Sequence, residues 1–138
     1  MRHVSSQRLR RDEDGNILGF LPQAFALRPG EESLSVSWLE ISDGDQNTRI
    51  KKIIWELRAA KGIGKTSAFG IGNVGNIKSI CKNNSAIVKI VYAPTKNIPS
   101  HSDIRHLPKD NLSLLQALAT DAFCELVRNA DIEKEQGE

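Results

Sequence analysis

Glycine interrupts the middle of this sequence so densely that no regular element can cross it. From Ala59 to Gly75 the chain reads AAKGIGKTSAFGIGNVG, punctuated by Gly62, Gly64, Gly70, Gly72 and Gly75. Glycine concentrates where a chain must turn sharply or where another backbone approaches closely. Upstream, Ile50, Ile53, Ile54 and Leu57 recur at helical spacing, with Trp55 off that stripe. The spacing predicts a helix to about Ala60, stopped by Gly62 in the left-handed position past its end. Downstream, a strand is expected over Thr66 to Ile71 and a short helix over Val74 to Lys82. The order is therefore helix, glycine turn, strand, glycine turn, helix.

That order bears on two nucleotide-binding signatures in the same stretch. Ala59 to Thr66 fits a relaxed Walker A pattern with Ala in place of the first Gly, and Gly70, Gly72 and Gly75 complete a GxGxxG. A phosphate loop needs a strand feeding the glycines and a helix leaving them, so that amides and helix N-terminus both point at the anion. Around Lys65 and Thr66 the order is reversed, and no hydrophobic run ending in Asp supplies a magnesium ligand. GIGNVG has the right flanks. However, the next strand, AIVKIVY, ends in Ala93-Pro94, where a dinucleotide site wants an acid for the ribose hydroxyls. No cofactor is expected, and the glycines are read as turn and packing residues, with a backbone nest around Asn73 to Asn76 as a remaining candidate for an anion.

The rest of the chain reads as short elements. Asn16 to Phe20 and Ala24 to Leu27 are expected to be extended, and LSVSWLEI alternates, with Leu34, Val36 and Trp38 on one face. A strand is expected over Ala86 to Tyr92, then a loop from Pro94 to Pro108 holding at most one helical turn. Asp110 or Asn111 caps a last helix running to about Asn129, with Leu115, Leu118, Ala119, Ala122 and Leu126 as its buried stripe. The fold class expected is a single compact α+β domain over residues 16–130. It carries one mixed or mainly antiparallel sheet with helices on one side, a mobile basic arm over 1–15 and a frayed tail over 131–138.

At 138 residues there is room for one core. No apolar run approaches the roughly 20 residues that cross a bilayer, and the basic N-terminus lacks a following apolar segment. A cytoplasmic protein with no membrane partner is expected. Cys81 and Cys124 sit in unrelated contexts without metal-ligand spacing, and both are read as buried thiols, with no metal expected.

Net charge is +2, but it is segregated. Residues 1–48 hold 5 Lys/Arg against 8 Asp/Glu, residues 49–82 hold 8 against 1, and residues 83–138 hold 6 against 8. The middle block is either a face balanced by the flanking acids or a docking surface for an anionic partner. Its candidate residues are Arg49, Lys51, Lys52, Arg58, Lys61 and Lys65. A larger protein is the expected partner. Nonspecific contact with nucleic acid is the other reading, although aromatics at 5% leave few platforms for base stacking.

The densest polar cluster is PSHSDIRH, which places His101, Asp103 and His106 within six residues. It can be read as His101 acting as general base or metal ligand, oriented by Asp103, with Arg28 or Lys65 neutralising phosphate, or as a capping box from Ser100 to Asp103 opening a helical turn. RPGEESLSVSW offers Arg28, Glu31, Glu32, Ser35 and Trp38, residue types read as a hairpin rim with Trp38 in the core.

Three segments, Ala24 to Glu40, Gly72 to Gly75 and Pro99 to Asp110, resemble segments of a group of small bacterial proteins of about this length. The resemblance implies a free-standing bacterial protein and carries over no activity, cofactor or catalytic residue. The functional expectation is a non-catalytic accessory protein of an intracellular bacterial multi-protein system, acting on foreign or mobile DNA as one option, that docks an anionic partner through residues 49–82. The alternative is a small enzyme acting on a nucleotide or nucleic acid through His101, Asp103 and Arg28.

Overall fold

All four residues of the strand Ala68–Ile71 are buried, and the architecture is arranged around it. The structure is a computed structural model and describes residues 1–136. Its strands are β1 (Arg2–Val4), β2 (Leu9–Arg11), β3 (Ile17–Phe20), β4 (Ser33–Ser37), β5 (Ala68–Ile71), β6 (Lys89–Tyr92), β7 (His101–Arg105) and β8 (Glu125–Arg128). Its helices are α1 (Gln46–Ala60), α2 (Val74–Asn83) and α3 (Leu112–Ala117). Together they make a single compact α+β domain with three small antiparallel sheets, in the orders β1-β5-β8, β2-β3 and β4-β7-β6.

β5 separates two cores. Phe69 and Ile71 meet Ile50, Ile53, Ile54 and Leu57 of α1, while Ala68 meets the larger core containing Phe20, Phe25 and Phe123. Phe25 stacks on Phe123 at 4.7 Å between ring centroids and meets the edge of Phe20 at 5.8 Å. Each such side chain taken fully out of water contributes about 1.5–3 kcal/mol, so a strand apolar on both faces belongs in the middle. α1 starts where Asp45 accepts a hydrogen bond from the Thr48 amide at 2.8 Å.

In the third sheet β7 is central, and Ile104 stands opposite both Leu34 of β4 and Ile90 of β6. Alternation then places His101, Asp103 and Arg105 on the other face, with Ser35 opposite Asp103 and Ser37 opposite His101. This sheet is joined to the first through Met1, whose amine donates to the Ser37 carbonyl at 2.7 Å and whose carbonyl accepts from the Ser37 amide at 2.8 Å.

Several expectations change. Residues 1–15 are not a free arm: Met1 is buried, β1 pairs with β5, and β2 pairs with β3. Pro22–Phe25 is a 3₁₀ turn instead of an extended piece. Gly62 does not adopt a left-handed conformation, because α1 ends on an extended Lys61. The loop expected over Pro94 to Pro108 contains β7, so Ser100 and Asp103 do not open a helical turn. The last helix begins at the Asn111 cap as expected. It passes into a π turn over Leu118–Ala122, where the Phe123 amide reaches the Leu118 carbonyl, and Glu125–Arg128 then leave as a strand. The expected tail is docked as far as Glu133, with its carbonyl accepting from Trp55 and Arg58; Gly137 and Glu138 lie outside the described residues. No helix among the described residues is long and apolar enough to cross a membrane.

Candidate ligand-binding cleft

The inner face of the β4-β7-β6 sheet is only partly covered. Between it, the β5–α2 turn and the chain around Cys124 lies a cleft of about 690 Å³. That volume is in the range of small-molecule sites, about 300–1,000 Å³. Val36, Ile90 and Ile104 supply apolar lining, Gly72, Asn73 and Asn76 supply the turn and first residues of α2, and Trp38 and Tyr92 stand among the lining side chains. Those two rings meet edge to face at 5.4 Å, yet Trp38 remains 42% exposed and Tyr92 46%. Tyr92 is held in place by its hydroxyl, which donates to the Pro99 carbonyl at 2.7 Å.

The glycine turn is shaped by close approach. A Cβ built on Gly72 would lie 3.0 Å from the Ala122 carbonyl oxygen and 3.2 Å from the Phe123 ring, so a side chain there has no room. Asn73 follows as the α2 cap, its side-chain oxygen accepting from the Asn76 amide at 3.2 Å. GIGNVG thus has the strand, turn and helix that its spacing requires, and the turn opens on the cleft.

The charges of the cleft are of one sign. Glu40 and Glu125 line it, and no Lys, Arg or His does so among the described residues. The first turns of α1 and α2 both reach it through Gln46 and Asn73. A helix N-terminus carries about half a positive charge, so two of them offset roughly one of the two carboxylates. Asp45, bound at the start of α1, removes more of that positive potential. The amine of Met1 is nearby, but burial pushes its pKa down to about 5, which leaves it neutral at pH 7. The cleft is therefore net negative and poorly suited to a phosphate. It is better matched to a flat cation, which gains from the aromatic faces and from the carboxylates together.

The residues singled out in PSHSDIRH lie elsewhere, on the outer face of the same sheet. The Ala93 carbonyl, which can only accept, lies 2.8 Å from His101 Nδ1 and so fixes the proton there. In the neutral ring Nε2 then accepts from the Ser35 hydroxyl at 3.2 Å. Asp103 Oδ1 is 3.7 Å from that same Nε2, and Arg105 approaches the other Asp103 oxygen at 3.8 Å. The ring is oriented by a backbone carbonyl, with Asp103 on the side where a reacting proton would move. Arg28 forms a turn with Glu31 and makes no hydrogen bond or ion pair with His101 among the described residues, and His106 has φ 71°. No group of three His, Cys, Asp or Glu able to hold a metal occurs among the described residues.

The basic segment divides in two. Arg58 donates to the Asn129 side chain and to the carbonyls of Asn129, Ile132 and Glu133, so it pins the tail instead of facing a partner. Lys51 pairs with Glu133 at 2.8 Å, and Lys52 donates to the Asp43 carbonyl. Arg49 has its Nε buried without a partner among the described residues. Lys61 and Lys65 are exposed. Lys65 and Thr66 follow a helix exit, and the Gly64 carbonyl in their loop accepts from Ser67 and from the Asn129 side chain, which makes the Walker-like stretch a tail-anchoring loop.

Trp38, Tyr92, Glu40 and Glu125 are not among the site residues read from sequence. Trp38 at the end of the clearest strand was expected in the core, and Cys124, expected to be buried, is exposed at the cleft. Comparison with protein families, curated proteins and solved structures gives no significant match to this chain.

Proposed function

We propose that this protein is a non-catalytic binding protein whose cleft holds a ligand with a flat cationic head, such as a guanidinium or a charged aromatic ring. The observation that carries this reading is the cleft itself, with two half-exposed aromatic rings and two carboxylates and no cation in its lining. Among the described residues the lining holds no imidazole or lysine ammonium, and the His101–Ser35 pair opens on the opposite face of the sheet. Titration with arginine amide and with N-methylpyridinium, followed by amide NMR shifts, is the test. Saturable shifts at Trp38, Tyr92 and Asn73 are expected, weakened about tenfold or more in Trp38→Ala and in Tyr92→Ala with the melting temperature nearly unchanged, since both side chains are half exposed. Equal shifts with adenosine monophosphate, or none with either cation, would overturn it.

A second reading is favoured by Lys61 and Lys65, both exposed residues beyond the end of α1. It makes the chain an accessory subunit that docks an anionic partner there. Lys61→Glu with Lys65→Glu is expected to lower the salt concentration needed for elution from heparin, and unchanged elution counts against that surface.

A further inference from the structure

A small groove of about 50 Å³ lies near the Met1–Ser37 junction, lined by Arg2, His3, Ser35, Lys61 and His101 among others. At about 10–15 Å³ per water, it has room for a few waters or one tetrahedral oxyanion. Arg2 and Lys61 make its lining cationic, while the Ser35 hydroxyl is engaged with His101. Arg2 uses Nε on the Ala24 carbonyl and Nη1 on the Ser35 carbonyl, so it is fixed in place and contributes charge. His3 packs against Phe69, and its Nε2 is buried with no hydrogen-bond partner among the described residues. An unpaired buried polar atom costs about 1–3 kcal/mol and calls for a partner that the protein itself does not supply.

We propose that this groove is a binding site for a single oxyanion with the chemistry of phosphate, held by Lys61 and by the Nε2–H of His3, with the Ser35 hydroxyl at its edge and Arg2 behind it. The electrostatics favour an anion here, because the cationic groups repel one another. Burial, then Lys61, then Arg2 push the His3 pKa down to about 4, so its ring is neutral at pH 7 and free to donate. Lys61 is held below the usual lysine range by the protein packed around it and then by Arg2 and Arg28. Arg2, lowered to about 10 chiefly by burial, is opposed by Glu31. The groove borders the cleft at Met1, Val36 and Ser37, but Arg2, His3 and Lys61 line the groove alone.

The test is an NMR titration of the full chain with inorganic phosphate at constant ionic strength, using chloride as the control. Saturable shifts of the His3 ring and of Lys61 are expected, with affinity falling at least tenfold in Lys61→Met, a surface change that leaves the fold intact. His3→Phe, which keeps a ring against Phe69, is expected to weaken binding similarly, while Lys65→Met, outside the groove, leaves it unchanged. Adenosine monophosphate then distinguishes the source: tighter binding than phosphate at the same residues assigns a phosphate ester, and equal binding assigns the free ion. Shifts that rise linearly without saturating, that chloride reproduces, or that keep the same midpoint in Lys61→Met would overturn the site.

Discussion

His3 links residue chemistry to a measurable property of the whole fold. Its pKa is about 4 in the folded protein against an ordinary 6.5, so the native state holds the ring neutral while the unfolded chain protonates it first. The stabilisation is fully present above pH 6.5 and is lost as pH falls toward 4. The Met1 amine, pushed from 8.0 to about 5, acts in the same sense over its own window. The melting temperature should therefore fall on acidification from pH 8, and His3→Phe should remove the part between 6.5 and 4. With the ring partly exposed and its charge screened, that part is about 1–2 kcal/mol. Thermal melts of both proteins at pH 7.5, 6 and 5 check it, and parallel curves would show that His3 is not responsible.

Among the elements, the glycine-rich segment has two halves with different physics, although its glycines look alike in sequence. Gly72 faces a backbone oxygen that cannot give way, whereas nothing lies within 4 Å of a Cβ built on Gly62, whose φ is not positive. Gly72→Ala should cost about 1–3 kcal/mol and disturb the cleft, while Gly62→Ala should be neutral or stabilise by up to about 1 kcal/mol. Urea unfolding of the two variants reads the contrast, and equal effects would mean that the turn relaxes. The same contrast shows what the sequence disclosed. α1 and α2 were legible because apolar spacing and the glycines that bound them agree locally. β7 was not, because HSDIR has only two apolar-facing positions and its Ser and Asp are also cap residues; its partners β4 and β6 decide its conformation. The three-residue strands β1 and β2 carry too short a pattern to read alone.

For the whole molecule, the α+β class was legible and the division into three sheets was not, because division depends on pairing between distant segments. The cleft was hidden for the same reason. Its lining comes from Met1, from the chain around Trp38 and Gln46, from the turn at Gly72, from β6 and β7, and from Phe123 to Glu125. Only the strand, turn and helix around GIGNVG marked one wall of it in advance, and the electrostatic sign of that wall depends on Glu40 and Glu125, remote in sequence. Within the basic block of residues 49–82, Arg58 and Lys51 find partners more than seventy residues away, a pairing that local sequence does not display.

The sheet that brings together residues 2–4, 68–71 and 125–128 also governs how the chain can be made. During synthesis the first of these strands must wait for residues 68–71, and those in turn for residues 125–128. Until then Phe69 and Ile71 have one bare edge, and the apolar side of α1 has only part of its cover. Such non-local pairing slows folding, because loop closure must precede the contacts that compensate for it. The nascent protein is thus exposed to aggregation and proteolysis while these strands wait for one another, and its yield in a cell should be set as much by chaperone supply during that interval as by the stability of the finished fold.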